Sequence, residues 1–235
     1  MYGWRARIGL IVPSSNTTME PEMWRMAPEG VSIHTARIPL EKVNVEELME
    51  MEKYSVDEAV KLSTAGVDVI VYGCTTGSLI GGPGFDKRIA GKINVATGTP
   101  VVTTATAVVE ALRALNARRI SVATPYIEEV NRREEEFLEA HGFKVVDLKY
   151  LGILDNIEIG RVEPGRVYRL ARSLKTAGVD AIFISCTNLR TLEVIKPLEE
   201  DLGLPVISSN TATMWYTLKT LGIDTSTIPG RISRL

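Results

Sequence analysis

The chain has two cysteines, Cys74 and Cys186, and each stands before a threonine at the end of a short apolar run. Residues 64–75 read Thr-Ala-Gly-Val-Asp-Val-Ile-Val-Tyr-Gly-Cys-Thr, and residues 176–187 read Thr-Ala-Gly-Val-Asp-Ala-Ile-Phe-Ile-Ser-Cys-Thr. The two segments agree at 8 of 12 positions, and Cys186 follows Cys74 by 112 residues. A thiol at a strand end beside a helix start faces free backbone N–H groups and a partial positive charge. That setting lowers a thiol pKa and makes the thiolate available. The same N–H groups hold carboxylates. The chemistry expected is nucleophilic or acid–base work by two thiols that flank one small anionic ligand.

Such a pair must be positioned by a duplicated scaffold, and the chain carries further traces of one. Arg7-Ile8 and Pro13 recur at the same spacing as Arg119-Ile120 and Pro125. Gly98-Thr99-Pro100-Val101-Val102 recurs as Gly203-Leu204-Pro205-Val206-Ile207. Internal repeats in the same order argue for two copies of one architecture. Short apolar runs at 8–12, 32–38, 68–72, 101–103, 120–124, 144–148, 181–185 and 206–208 read as strands. Helical spacing covers 21–26, 45–64, 85–93, 105–115, 128–140, 164–177, 189–202 and 211–221. Alternating apolar strands and helices imply parallel sheets covered on both faces. The fold class expected is α/β, with two pseudo-symmetric doubly wound lobes and the active site between them. Residues 1–116 form the first lobe and 117–235 the second, with the last helix (211–222) and the tail expected to pack back on the first.

In open parallel sheets ligands bind beyond the carboxyl ends of the strands. Those ends are polar and small here: Pro13-Ser14-Ser15-Asn16-Thr17-Thr18, Cys74-Thr75-Thr76-Gly77-Ser78, Thr103-Thr104, Thr124-Pro125-Tyr126, Cys186-Thr187-Asn188 and Ser208-Ser209-Asn210. None carries Arg or Lys, so a small dianion would be held by neutral donors. Gly81-Gly82-Pro83-Gly84 fits neither nucleotide-binding glycine pattern and reads as a turn or hinge beside Cys74. Glu134-Glu135-Glu136 reads as a solvated helix face, and Glu199-Glu200-Asp201 as a charged helix end. His34 and His141 read as structural or exposed, and Trp4, Trp24 and Trp215 as packing residues, Trp215 with a place near the cleft as the alternative.

Composition excludes several classes. The formal net charge of -2, with no basic stripe, argues against nucleic acid. No apolar stretch is long enough to span a membrane. The N-terminus lacks the pattern of a signal peptide, so a cytoplasmic location is expected. Neither a zinc-type Cys/His spacing nor a cofactor motif occurs, so no metal and no cofactor are expected.

The run Ile8-Gly9-Leu10-Ile11-Val12-Pro13-Ser14-Ser15-Asn16-Thr17-Thr18-Met19-Glu20-Pro21-Glu22, the two Cys-Thr strand ends and the duplicated lobes resemble the aspartate/glutamate racemase superfamily. Within it, the chain most resembles the maleate cis–trans isomerase and arylmalonate decarboxylase branch, over nearly its whole length. The resemblance implies that Cys74 is the nucleophile and Cys186 the second cysteine. It implies substrate contacts from Asn16, Tyr126 and Asn156, and carboxylate binding by Thr75 and Thr76, with Thr187 and Asn188 lining the repeat-equivalent end. The decarboxylases have glycine in place of the first cysteine, and this chain does not. The expected reaction is cofactor-independent isomerisation of a small dicarboxylate, maleate, to fumarate, in a homodimer. Alternatives are an amino-acid or hydantoin racemase using both cysteines as acid and base, an arylmalonate-type decarboxylase, and a non-catalytic dicarboxylate binder.

Overall fold

The computed structural model describes residues 2–235. The first half contains strands β1 (Ala6–Pro13), β2 (Val31–Ile38), β3 (Val69–Tyr72) and β4 (Val101–Thr103). Between and after them run helices α1 (Met19–Met26), α2 (Val45–Glu50), α3 (Glu52–Ser63), α4 (Thr75–Leu79), α5 (Phe85–Thr97) and α6 (Thr104–Ala114). The second half contains β5 (Arg119–Thr124), β6 (Lys144–Tyr150), β7 (Ala181–Ile184) and β8 (Val206–Ser208). Its helices are α7 (Glu128–Ala140), α8 (Asn156–Gly160), α9 (Pro164–Arg172), α10 (Leu192–Leu202) and α11 (Ser209–Thr220), before a 3-10 turn at Arg231–Arg234.

Each half forms a four-stranded sheet, ordered β2-β1-β3-β4 and β6-β5-β7-β8. Every strand pair in both sheets is parallel. Both are α/β sheets of the doubly wound kind, with the strand order reversing between β1 and β3 and between β5 and β7. The repeated Thr-Ala-Gly-Val-Asp segment has a mechanical role in each copy. Asp68 accepts from the Arg7 backbone N–H at 2.7 Å, and Asp180 from those of Arg118 and Arg119 at 2.8 Å. Each aspartate thereby ties the loop before one strand to the start of its neighbour and sets their register.

The two halves share a core. Ala107, Val108, Ala111 and Leu112 of α6 lie in one buried cluster with Ala212, Met214, Trp215 and Leu218 of α11. The Thr213 hydroxyl donates to Thr104 Oγ1 at 3.3 Å across this helix pair.

Among the elements whose extents differ from expectation, three have a clear physical cause. The helix expected over 45–64 is two helices that meet at Met51, whose side chain is fully buried. Met51 keeps helical dihedrals (φ -54°, ψ -35°), so the break is in the hydrogen-bond ladder, where Tyr54 N–H donates to the Met51 carbonyl at 3.2 Å; Leu48 of α2 and Ser55, Ala59 and Leu62 of α3 are buried. The helix expected over 164–177 stops at Arg172, because the chain beyond it is held by tertiary bonds. Lys175 N–H donates to Asp147 and the Lys175 carbonyl accepts from Ser121. The helix expected from 189 starts at Leu192, because residues 186–191 are occupied by bonds to the first half.

Candidate active site

The loops after β1, β3, β5 and β7 converge where the two sheets face each other. Asn16 donates through Nδ2 to Thr187 Oγ1 at 3.0 Å, and Thr187 Oγ1 donates to the Gly73 carbonyl at 3.3 Å. Asn188 accepts from Thr17 N–H at 2.9 Å and donates to the Asn156 carbonyl at 2.7 Å. Asn156 donates to Ser15 Oγ at 2.8 Å. Thr75 donates to Ser209 Oγ at 2.8 Å, and the same oxygen accepts from Cys186 N–H at 3.0 Å. The structure therefore brings Asn16, Thr75, Asn156, Thr187 and Asn188 into one hydrogen-bonded lattice across both halves. Gly160 leaves room for the Thr17 and Asn188 side chains: a Cβ there would lie 2.6 Å from Thr17 Oγ1.

Cys74 is the N-cap of α4, in an extended conformation (φ -143°), and its Sγ accepts from Gly77 N–H at 3.3 Å. The Thr76 hydroxyl is 4.0 Å from the same sulfur. Gly77 leaves that space open, since a Cβ there would lie 2.9 Å from Sγ. The sequence alone points to a lowered thiol pKa, and the structure corrects this. Burial pushes the Cys74 thiol up to about 11, although Gly77 N–H and Thr76 pull the other way. One 3.3 Å N–H contact at a five-residue helix offsets only part of the cost of charging a buried sulfur.

Cys186 does not open a helix. It has φ +102°, a left-handed conformation that side chains rarely adopt, with Asn188 N–H donating to its Sγ at 3.3 Å. Backbone strain of this kind costs about 1–3 kcal/mol and persists where surrounding bonds hold it. Here the Ser209 hydroxyl and Asn188 hold it. Burial pushes this thiol up to about 12, against Asn188 N–H and the Tyr126 hydroxyl, with the Cys74 and Glu134 charges adding to the rise. Tyr126 is itself raised well above the usual tyrosine range, by burial first and then by Cys186. Tyr126, Cys186 and Cys74 therefore share one electrostatic environment.

The site is closed. Cys74 and Cys186 are each 5% exposed, and Tyr126, Asn16 and Asn156 are buried. A strap covers it: Val43 N–H donates to the Leu154 carbonyl at 2.8 Å, and Asn156 N–H to the Glu41 carbonyl at 2.9 Å. Lys42 and Asp155 pair as an isolated antiparallel bridge in the same strap. The glycine segment at 81–84 is the connection between α4 and α5, with Gly84 as the N-cap of α5.

Three glutamates are buried: Glu134, Glu199 and Glu22. The helix face expected to be solvated contains Glu134, which is fully buried and accepts from Ser185 Oγ at 2.6 Å. Burial pushes it up to about 7. Its position was readable, because residues 130, 134, 137 and 138 share one helix face and the other three are Val, Phe and Leu. Between pH 4.5 and about 7 the folded protein holds a proton on Glu134 that the unfolded chain releases. This contribution to stability is therefore complete below pH 4.5 and is lost as pH rises through about 7. The full swing is about 3 kcal/mol. Urea unfolding of wild type and Glu134→Gln across this range should show their difference rising with pH, and parallel curves would contradict the burial argument. Glu199, expected at a charged helix end, is also buried, and accepts from Val206 and Arg231 N–H at 3.0 Å.

Glu22, on α1, crosses to the second half. Its carboxylate accepts from Thr191 N–H at 2.7 Å, Leu192 N–H at 3.2 Å, Thr191 Oγ1 at 3.1 Å and Asn210 Nδ2 at 2.7 Å. It caps α10 from the opposite lobe, although burial raises its pKa. Glu22→Ala leaves these buried donors unpaired and should cost about 3 kcal/mol. Calorimetry should show Tm falling by about 10 °C. An unchanged Tm would remove the clamp from the account.

Residues 8–232 match the family model described as arylmalonate decarboxylase. The chain belongs to the arylmalonate decarboxylase family. A relative in this family's range is the maleate isomerase of Geobacillus stearothermophilus, 34% identical and aligned over 93% of both chains. Two solved structures superpose closely. A maleate isomerase variant from Pseudomonas putida S16, crystallised with maleate, is 32% identical, with TM-score 0.92 over 97% of this chain and 95% of that one. A cysteine-to-serine mutant of the Nocardia farcinica maleate cis-trans isomerase holds a covalently bound succinylcysteine intermediate. It is 33% identical, with TM-score 0.92 over 97% of this chain and 98% of that one. Among the described residues no helix is long and apolar enough to cross a membrane.

Proposed function

We propose that this chain isomerises maleate to fumarate by covalent addition of the Cys74 sulfur to the alkene. The observation that carries the reading is the pair of Cys-Thr strand ends meeting at one interlobe site, in a chain whose relative traps a succinylcysteine. A C=C bond does not rotate at ambient temperature. Addition of Cys74 Sγ to one alkene carbon leaves charge that spreads into the carboxylate on the other. Protonation of that carbon by Cys186, whose sulfur receives the proton that Cys74 sheds, gives a saturated adduct with a freely rotating C–C bond. After rotation Cys186 takes a proton back from carbon and returns one to Cys74 as the C–S bond breaks and the trans alkene leaves.

The buried thiols fit this sequence. Thiol addition to an alkene is neutral overall, because the S–H lost becomes a C–H gained. Two protonated thiols can complete it without a lasting buried thiolate. The carboxylates are received by neutral donors: Asn16, Thr75, Thr76, Tyr126, Asn156, Thr187 and Asn188. In the closed state several of these bond to one another, so substrate exchanges protein–protein bonds for protein–carboxylate bonds. Donors fixed in place stabilise the charge developing on the carboxylate, at about 3 kcal/mol for a well-placed one.

A homodimer in the cytoplasm completes the proposal; it rests on the sequence reading, and sedimentation and cell fractionation check it. Proton NMR of the purified protein with maleate in D₂O tests the reaction. A fumarate vinyl signal should grow in proportion to enzyme. Unchanged maleate, with deuterium appearing at the α-carbon of aspartate or glutamate instead, would turn the assignment to a racemase.

A further inference from the structure

The start of α11 grips the turn that carries the second thiol at two points. Ser209 Oγ accepts from Cys186 N–H at 3.0 Å. The next residue, Asn210, donates through Nδ2 to the Thr187 carbonyl at 3.1 Å. The same nitrogen donates to Glu22 Oε2 at 2.7 Å, from the opposite lobe. Two acceptors face one amide atom, so that atom is the nitrogen. Among the described residues Asn210 Oδ1 has no hydrogen-bond partner, although it is buried. The amide is therefore oriented by its two N–H bonds alone.

The Thr187 carbonyl and the Asn188 N–H belong to one peptide unit. In a trans peptide these groups lie in one plane and point in opposite directions. Pinning the oxygen aims the N–H, and here the Asn188 N–H donates to Cys186 Sγ at 3.3 Å. Glu22, Asn210, Thr187, Asn188 and Cys186 are all buried, so the line is shielded from water.

We propose that Glu22 and Asn210 are positioning residues for Cys186, holding the peptide between Thr187 and Asn188 so that its N–H faces the sulfur. The proposal rests on the maleate reading above. A hydrogen bond to sulfur favours the charge that builds there as Cys186 exchanges its proton with carbon. Glu22 sets the amide of Asn210 because a carboxylate only accepts. In Glu22→Gln the new Oε1 can still accept from Thr191 and Leu192 N–H, which keeps the cap on α10. The new Nε2 then meets Asn210 Nδ2, donor against donor. Turning the Asn210 amide over relieves this, and it puts Oδ1 against the Thr187 carbonyl. The side chains of Thr187 and Asn188 keep their own bonds to Asn16 and Thr17, so substrate binding is spared.

The test is kcat and KM for maleate in wild type, Glu22→Gln, Asn210→Leu and the double variant. Each single variant should lower kcat by about 10-fold, the worth of one hydrogen bond, with KM within about threefold of wild type. The double variant should be no slower than the slower single one, because both changes break one line. A kcat within twofold of wild type, a loss confined to KM, or losses that multiply in the double variant would each overturn the proposal. If Asn210→Leu does not fold, Glu22→Gln decides the matter by the same split of kcat from KM. If wild type does not isomerise maleate, the maleate reading falls, and the link is read without substrate. Labelling of Cys186 by methyl methanethiosulfonate is then timed by intact mass in Cys74→Ala and in Cys74→Ala/Glu22→Gln. Loss of the N–H bond should slow labelling by about 3- to 10-fold, whereas a merely loosened lobe contact would expose the thiol and speed it. An equal or faster rate would overturn the link itself.

Discussion

Cys74→Ser and Cys74→Ala should each lose maleate turnover by about 10⁴-fold or more, while far-UV circular dichroism and Tm stay close to wild type. The size follows from the chemistry. Without the Cys74 sulfur to add, the C=C bond never becomes a single bond, and the remaining thiol, Cys186, sits on a different backbone turn as the proton donor. Serine is isosteric, but its hydroxyl is far less acidic and its oxygen a poorer nucleophile toward an electron-poor alkene. The fold should survive because Cys74 contributes little framework. Its backbone carbonyl accepts from Ser78, and its N–H continues the strand end, in both variants. Among the described residues, the side-chain bonds lost are the weak ones from Gly77 N–H and Thr76. Steady-state NMR assays with purified variants check this, and turnover within tenfold of wild type by Cys74→Ala would remove Cys74 as the nucleophile.

Cys186→Ser should lose steady-state turnover by about 10³-fold and accumulate covalent adduct. Addition still proceeds from Cys74, but the saturated adduct must lose a proton from carbon before the C–S bond can break. A serine hydroxyl at that position is too weak a base, so the adduct persists. The left-handed backbone at residue 186 is held by the Ser209 hydroxyl, and a serine oxygen can still accept from Asn188 N–H, so the serine should be placed as the thiol is. Rapid-quench intact mass measured against time should show a bound population rising to about one per chain. A variant that turns over at the wild-type rate with no adduct would assign the proton transfers to another group.

Much of the positioning was legible because it was written twice. The repeated Thr-Ala-Gly-Val-Asp segment marks both strands that deliver the thiols, and Asp68 and Asp180 repeat one bond in both halves. The Pro-Ser-Ser-Asn-Thr-Thr-Met-Glu-Pro-Glu run also carried the Glu22 clamp, whose partners at Thr191 and Asn210 lie far along the chain and left no local signal. The backbone turn at Cys186 was not legible, since nothing in Ser-Cys-Thr-Asn requires φ +102° and tertiary bonds impose it. The thiol acidity was misjudged for a physical reason. A helix N-terminus gives a fixed, modest stabilisation, whereas burial scales with everything packed around the sulfur, including Met51 from a helix junction that periodicity did not resolve. Glu134 was hidden inside a run of three glutamates, although its spacing to Val130 and Phe137 placed it on the buried face.

The central claim is that a bond forms between Cys74 and substrate carbon. It is tested most directly by treating Cys186→Ser with maleate, digesting the quenched protein and mapping the peptides by mass spectrometry. The account predicts that the peptide containing Cys74 gains the mass of one maleic acid as a succinyl group, and that Cys74→Ala/Cys186→Ser gains nothing. An unmodified Cys74 in a protein that still forms fumarate, or an adduct confined to another residue, would contradict it.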